Sequence, residues 1–357
     1  MINNEYEVVV TREATPKDYK AWDDFVKNHP DATPYHLIAW KQAIQHAYHH
    51  ECFYLIAEQD SKIIGILPLV KISPPLLTGS ICSLPFCDVG GMLVSDAKAE
   101  HFLLTKAKVI ARMHTSHNLH LRQSAQESDA EIKSEAESAE QKVRMILPLP
   151  DSSDALSASF KSKLRSQIKK AAKNNITYSQ TNDPAAIASF YGVMQANMHL
   201  LGSPVHSKKW FESIINFYGD KAQIGIVKKD NTVVGAAILL LCGNMAVVPW
   251  ASTLTEYNKY SPNMSLYWGL LGFAADNGFT KFDFGRSTVG EGTFRFKKQW
   301  GATPVALDWR DYNQHGLIES SPESSSKIRP LVANTWAKLP FSVVNLLGPQ
   351  LRRYISL

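Results

Sequence analysis

Residues 33–70 align with residues 203–240 without a gap, at a constant offset of 170. The register pairs Pro34 with Pro204, His36 with His206, Trp40 with Trp210, Ile44 with Ile214 and Tyr48 with Tyr218. It continues through Ile56 and Ile226, Asp60 and Asp230, Gly65 and Gly235, and Leu69 and Leu239. A match that keeps one register across helical and extended patterns marks a duplicated unit, so two related domains are expected. Each copy reads as a helix with a proline near its first turn, then two strands joined by a polar turn. In the first copy CFYLIAE and IIGILPLV flank QDSK; in the second QIGIV and VVGAAILLL flank KKDN.

The second copy extends further. MAVVPWAS reads as a third strand, and residues 263–277 read as a helix with apolar residues around most of its circumference, hence buried between layers and ended by Gly278. The strand KFDFG follows, and a strand, helix, strand crossover returns the chain to its sheet. Helix, antiparallel strands, then strand, helix, strand is the order of a GNAT domain, so the expected fold class is α/β with two tandem GNAT-like domains and a C-terminal helical tail. Expected boundaries are 1–155, with an acidic insertion at about 123–141, then 156–320, then a tail at 321–357 docked on the first domain.

A chain of 357 residues suits two domains, and an apolar fraction of 45% suits globular cores. MINNEYEVVVTRE has no basic stretch ahead of an apolar run, which argues against a secretory signal, and no apolar run has the length of a membrane span. Cys52, Cys82, Cys87 and Cys242 form no CxxC pair and are read as reduced. The expected location is the cytoplasm, with peripheral contact at the inner face of the membrane left open. His46, His49 and His50 share a helical stretch, yet only Glu51 is placed to complete a ligand set, so no metal site is expected.

Chemistry is most legible in residues 282–304, FDFGRSTVGEGTFRFKKQWGATP. The strand end opens into a loop with Gly290 and Gly292, then presents Arg295, Lys297, Lys298 and Trp300 before Gly301, where strand-end loops of α/β proteins build sites. Arg286, Arg295 and Lys298 suit phosphate or carboxylate groups. The alternative is an irregular surface loop with solvated cations. A second basic run, FKSKLRSQIKKAAK, places Lys161, Arg165, Lys169 and Lys173 at i, i+4 spacing, either as a solvated face or as a contact for phosphates. His36 either lines an acceptor groove or is a satisfied buried histidine; the repeated Trp40 and Trp210 are expected in the core.

KFDFGRST followed by GTFRFKKQWGATP resembles the FemAB family, specifically its exosortase-associated branch, and so do TPYHLIAW, IIGILPLV, SLPFCDVGG, KLRSQIKKAAKNN and WAKLP, across nearly the whole chain. FemAB proteins are tandem GNAT transferases, and the better-known members move amino acids from aminoacyl-tRNA onto peptidoglycan precursors. The resemblance implies that Phe296 and Lys297 are the family's Phe-Lys pair, with Lys297 facing the donor or stabilising charge during transfer. An oxyanion formed when an amine attacks an ester is stabilised by a fixed cation. Asp283 either orients and deprotonates the attacking ammonium or caps the loop. The resemblance also implies substrate contact by Arg165 and Gln167, with Lys163 and Lys169 beside them.

The Arg/Gln-x-x-Gly-x-Gly/Ala turn by which CoA-dependent GNAT enzymes grip pyrophosphate is found in neither repeat, and STLTEYNKYSP contains no glycine. No bound cofactor is therefore expected, the acyl carrier acting as cosubstrate. The expected activity is transfer of an aminoacyl or acyl group to an amine of a cell-envelope or exopolysaccharide precursor, with aminoacyl-tRNA the favoured carrier and no DNA partner. One alternative is an acyl-CoA or acyl-carrier-protein N-acyltransferase acting on an amino sugar. Another is a non-catalytic GNAT-like binding or scaffold protein.

Overall fold

The computed structural model describes residues 9–115, 117–125, 141–318 and 328–356. Most of the predicted acidic insertion lies outside these residues. The described residues fall into two compact units: 9–124, 307–318 and 354–356 form the first, while 125, 141–306 and 328–353 form the second.

In the first unit the elements run β1 (Val10–Glu13), α1 (Tyr19–Asn28), α2 (Ile38–Tyr48), β2 (Cys52–Gln59), β3 (Lys62–Ile72), β4 (Ser80–Cys82), β5 (Leu93–Val94), α3 (Ala97–His114) and β6 (Leu119–Ser124). Strands β1 to β4 pair antiparallel in sequence order, β5 adds to β3, and β4 pairs parallel with β6 after the chain has passed through α3. Asp96 starts α3 by accepting the Ala99 N–H at 2.8 Å, which satisfies a donor that has no partner within the helix. Leu55, Leu67, Leu69, Leu103, Ala107 and Leu119 form the core between α3 and the sheet.

The second unit runs β7 (Lys142–Pro148), α4 (Ser153–Ser159), α5 (Ser162–Lys173), β8 (Ile176–Thr181), α6 (Ile187–Leu200), α7 (Lys208–Tyr218), β9 (Ala222–Lys229), β10 (Thr232–Cys242), β11 (Met245–Thr253), α8 (Pro262–Asp276), β12 (Lys281–Thr288) and α9 (Gly292–Gln299). Strands β8 to β11 are antiparallel, and β11 pairs parallel with β12 after α8. The expected helix at 263–277 is α8, and Leu266, Leu270, Leu271, Ala274 and Ala275 bury it between the sheet and α4 and α5.

The duplicated segment keeps the bounds of three elements. Adding 170 to the bounds of α2, β2 and β3 returns those of α7, β9 and β10. The hairpin registers coincide as well: Gln59 faces Lys62 as Lys229 faces Thr232, and Ala57 faces Gly65 as Val227 faces Gly235, each after the same one-residue bulge. Asp60 and Asp230, matched in the alignment, both adopt left-handed backbone in the connecting turn (φ 49° and 55°), a conformation Asp tolerates better than most residues. Trp40 and Trp210 are both fully buried, as expected of a repeated packing position.

β13 (Thr303–Asn313) contributes Thr303–Ala306 to the second unit, beside β7, and Leu307–Tyr312 to the first, beside β6, where β14 (Gly316–Ile318) closes a hairpin. The units are therefore not the consecutive stretches expected at 1–155 and 156–320. β7 lies in the second unit because it pairs with β12, and residues 307–318 lie in the first because they pair with β6. The tail is helical, as α10 (Ile328–Ala337) and α11 (Phe341–Arg352), and these helices pack on α6 of the second unit, while residues 354–356 beyond α11 belong to the first unit, where the Phe86 N–H donates to the Ser356 carbonyl at 2.7 Å. His199 of α6 meets the Leu339 carbonyl at 3.0 Å and the Phe341 ring at 5.6 Å.

His206 stacks on Trp210 at 5.6 Å, and burial, helped by the charge of Arg352, holds its imidazole well below its ordinary pKa. Below about pH 6.5 the unfolded chain binds a proton that the folded chain refuses. Stability is thus fully present above about pH 6.5 and falls as pH drops, by up to ~1.4 kcal/mol per pH unit. His206→Phe, which keeps a ring against Trp210, is expected to flatten this slope in urea titrations. An unchanged slope would assign the acid sensitivity to other groups.

Candidate active site

β11 and β12 are hydrogen-bonded only over Met245–Val247 and Lys281–Asp283, and beyond Val247 and Asp283 the parallel ladder ends. At that point β12 bulges, its register against β7 shifting between Asp283 and Arg286, and Gly285 takes a left-handed conformation (φ 73°) that a side chain would strain. Two buried charges fasten the bulge. Asp283 accepts the Gly285 N–H through Oδ1 at 2.7 Å and receives Arg144 Nε and Nη2 on Oδ2 at 3.0 and 2.7 Å. Lys297 Nζ donates to the carbonyls of Gly285 and Arg286 at 3.0 and 2.8 Å. Asp283, Arg144 and Lys297 are 2%, 5% and 7% exposed, so each charge needs the partners it has.

The segment expected to be a loop after Gly290 is the helix α9. Gly290 turns the chain (φ 80°), Glu291 stands at the N-cap, and Gly301 (φ 97°) follows the last turn. Phe294, Lys297 and Trp300, three residues apart, form its buried face, and this helical spacing overrides the two glycines that suggested a loop. Phe296 is half-buried against Tyr267 at 5.1 Å and Trp300 at 6.3 Å.

A cleft of about 720 Å³ opens beside α9, where the end of β7, α4 and the start of α5 meet. Its cations are Lys161, Lys163 and Lys298, Gln167 and Gln299 add amides, and Phe160, Leu164 and Trp300 supply apolar lining. No carboxylate lines it, and the first turn of α5 carries no acidic residue. Backbone N–H groups at a helix start, the helix dipole and three lysines all favour negative charge.

Of the residues singled out from the sequence, Lys163, Gln167, Lys298 and Trp300 meet in this cleft. Arg165 and Lys169 are exposed on α5 outside the lining, and Arg165 reaches the Ala158 carbonyl at 3.5 Å. The expected i, i+4 stripe loses Lys161, which stands at the N-cap with extended backbone. Arg295 is exposed and Arg286 half-buried, neither lining the cleft. His36 belongs to the first unit, where its Nδ1 accepts the Thr33 N–H at 3.1 Å and its ring is 1% exposed, a capping arrangement. His49 ends α2 in left-handed backbone (φ 58°), while His50 is buried near Tyr48 and Phe86. Among the described residues no cluster of three His, Cys, Asp or Glu side chains could hold a metal. Arg144 escaped the sequence reading; its one signal was a cation inside the otherwise apolar run VRMIL.

The fold is α/β with tandem GNAT-like units, and a model described as "Acetyltransferase (GNAT) domain" matches residues 158–298, which carry the cleft helices α5 and α9. Among solved structures it is similar to FemX (TM-score 0.69, 17% identity, covering 85% of this chain and 97% of that one). It is also similar to L-PGS from Bacillus licheniformis (TM-score 0.55, 10% identity, 97% and 98% covered). A third likeness is to a tandem GNAT protein from the clavulanic acid biosynthesis pathway (TM-score 0.53, 11% identity, 85% and 98% covered). At these identities the likeness is one of fold. Comparison with curated protein sequences gave no match.

Proposed function

We propose that this chain is an N-acyltransferase that passes an aminoacyl or acyl group from an anionic activated carrier, aminoacyl-tRNA above others, to an amine of a cell-envelope or exopolysaccharide precursor. The observation that carries this reading is the carboxylate-free cleft with Lys161, Lys163 and Lys298 at the start of α5. Phosphates of the carrier would sit there, bound chiefly by charge. α9 joins binding to chemistry: Lys298 and Trp300 line the cleft while the adjacent Lys297 pins the bulge where β11 and β12 part. In the reaction the amine lone pair attacks the acyl carbonyl, the new C–N bond forms, and the C–O bond to the carrier breaks, with the amine proton passing to the departing hydroxyl. Lys297 and Asp283 act as positioning residues in this reading, because their polar atoms hold the backbone of Gly285 and Arg286.

The match to an acetyltransferase domain model favours a second reading, with acyl-CoA as donor. Against it, the turn into α8 contains Ser261 with φ 64° and then Pro262, which has no N–H to offer a pyrophosphate. Filter binding of charged tRNA separates the two. Binding at low salt is expected, and Lys163→Ala/Lys298→Ala is expected to weaken it on the order of tenfold and reduce the salt slope by roughly one to two. No retention at low salt would exclude the tRNA donor, and displacement by CoA would favour the second reading.

A further inference from the structure

β8 is the last strand of the second unit's sheet and, among the described residues, pairs with β9 alone. The Asp230 N–H donates to the Asn175 carbonyl at 3.4 Å, and directly opposed residues of an antiparallel ladder alternate between bonded and unbonded pairs. Thr177, Ser179 and Thr181 therefore turn their N–H and C=O groups to β9, while Ile176, Tyr178 and Gln180 turn theirs to the outer side. Edge strands are ordinarily guarded by charge, proline or a bulge. β1, the outer strand of the first unit, follows that rule, for Arg12 is clamped by Asp18 and Glu58 at 2.8 and 2.7 Å and Glu13 stands next to it. β8, with the sequence ITYSQT, has no charge, no proline and no break in its register with β9.

The two ends of β8 differ in charge. Lys170 and Lys173, with Lys228 and Lys229 of β9, stand at its start, where Asp230 is bonded to Lys229 at 2.6 Å. Asp183 and Asp220 stand at its finish beside Lys221, the Asn182 amide donating to Asp220 at 2.9 Å.

We propose that β8 is a dimerisation edge, two copies of the chain joining their β8 strands antiparallel about a two-fold axis at Tyr178. In that register Tyr178 faces its own counterpart and Ile176 faces Gln180 of the second copy, so the three outward residues are all matched and about six main-chain hydrogen bonds form. A shift by one residue would set outward groups against groups already bonded to β9, and a shift by two would leave Ile176 or Gln180 without a strand partner. The same register brings Thr177 beside Ser179 of the second copy and Lys173 near its Asp183, so the basic end of each strand meets the acidic end of the other. An extended peptide of another protein would also pair with β8, but a second copy supplies this reciprocal charge. The inference does not depend on the proposed reaction.

Sedimentation velocity of the full chain over a range of concentrations, together with hydrogen exchange resolved along the chain, tests it. A dimer that dissociates on dilution is expected, with exchange in β8 slowed as the dimer forms. Thr177→Lys/Ser179→Lys, which sets like charges beside each other across the two-fold axis, is expected to raise the dissociation constant roughly a hundredfold. Lys173→Glu is expected to raise it roughly tenfold, and Lys173→Glu/Asp183→Lys to restore it. All four positions are exposed, and thermal melting verifies that the variants stay folded. Each of four results would overturn the assignment: a monomer at every concentration, which would leave the edge to a peptide of another protein; a dimer whose β8 exchange is unchanged; a dimer kept by the folded double-lysine variant; or a charge exchange that restores nothing.

Discussion

Replacing Arg144 by leucine is expected to destabilise the second unit by about 3–5 kcal/mol, as measured by urea unfolding, because it strands the Asp283 carboxylate at 2% exposure without its guanidinium partner. The ion pair itself contributes less than that figure, since desolvating two charges offsets most of their attraction. A companion variant separates the two quantities. Arg144→Leu/Asp283→Leu removes both charges and is expected to recover part of the loss, but not all, because the Gly285 N–H loses its acceptor. A loss below about 1 kcal/mol in the single variant would mean that water reaches the pair. The same single variant should also depress the proposed transfer activity, because the bulge that Asp283 and Lys297 hold would be free to relax.

Trp210→Ala and Trp40→Ala are each expected to cost about 3–5 kcal/mol in the unit that carries them. The two indoles occupy matched positions 170 residues apart, and both are 0% exposed. Their surroundings differ. Trp40 packs edge-on to Tyr35 at 4.9 Å and donates to the Pro85 carbonyl at 3.3 Å, whereas Trp210 stacks on His206 and meets Trp250 edge-on at 6.1 Å. Hydrogen exchange resolved along the chain reads the units separately, with lost protection expected in β2 and β3 for Trp40→Ala and in β9 and β10 for Trp210→Ala. Full protection in either variant would remove that tryptophan from the core.

The duplicated hairpins were legible in the sequence because strand alternation, the Asp-bearing turns and the helix period are local signals that both copies kept. α8 was legible for the same reason, being apolar on nearly every side. α9 was not: eight residues give little room for a period to show, and Gly290 and Gly292 next to three cations gave the signal of a loop. Only part of the cleft could be named in advance, through Lys163, Gln167, Lys298 and Trp300. Its other walls come from β7 and α4, more than a hundred residues ahead of α9, and no local pattern connects them.

By itself the sequence determined the duplication, the class of the two units and the burial of the repeated tryptophans, all of which follow from side-chain periodicity along continuous segments. Only the tertiary structure decided which unit receives β7, residues 307–318 and the tail helices, because strand pairing and helix docking depend on partners far away in the chain. It also decided the duty of the charges. Asp283 meets Arg144 across 139 positions, and once both are buried the cost of an unpaired ion fixes them as supports of the Gly285 bulge. Lys298, one residue beyond the buried Lys297, remains exposed at the cleft because a helix turns by about 100° per residue.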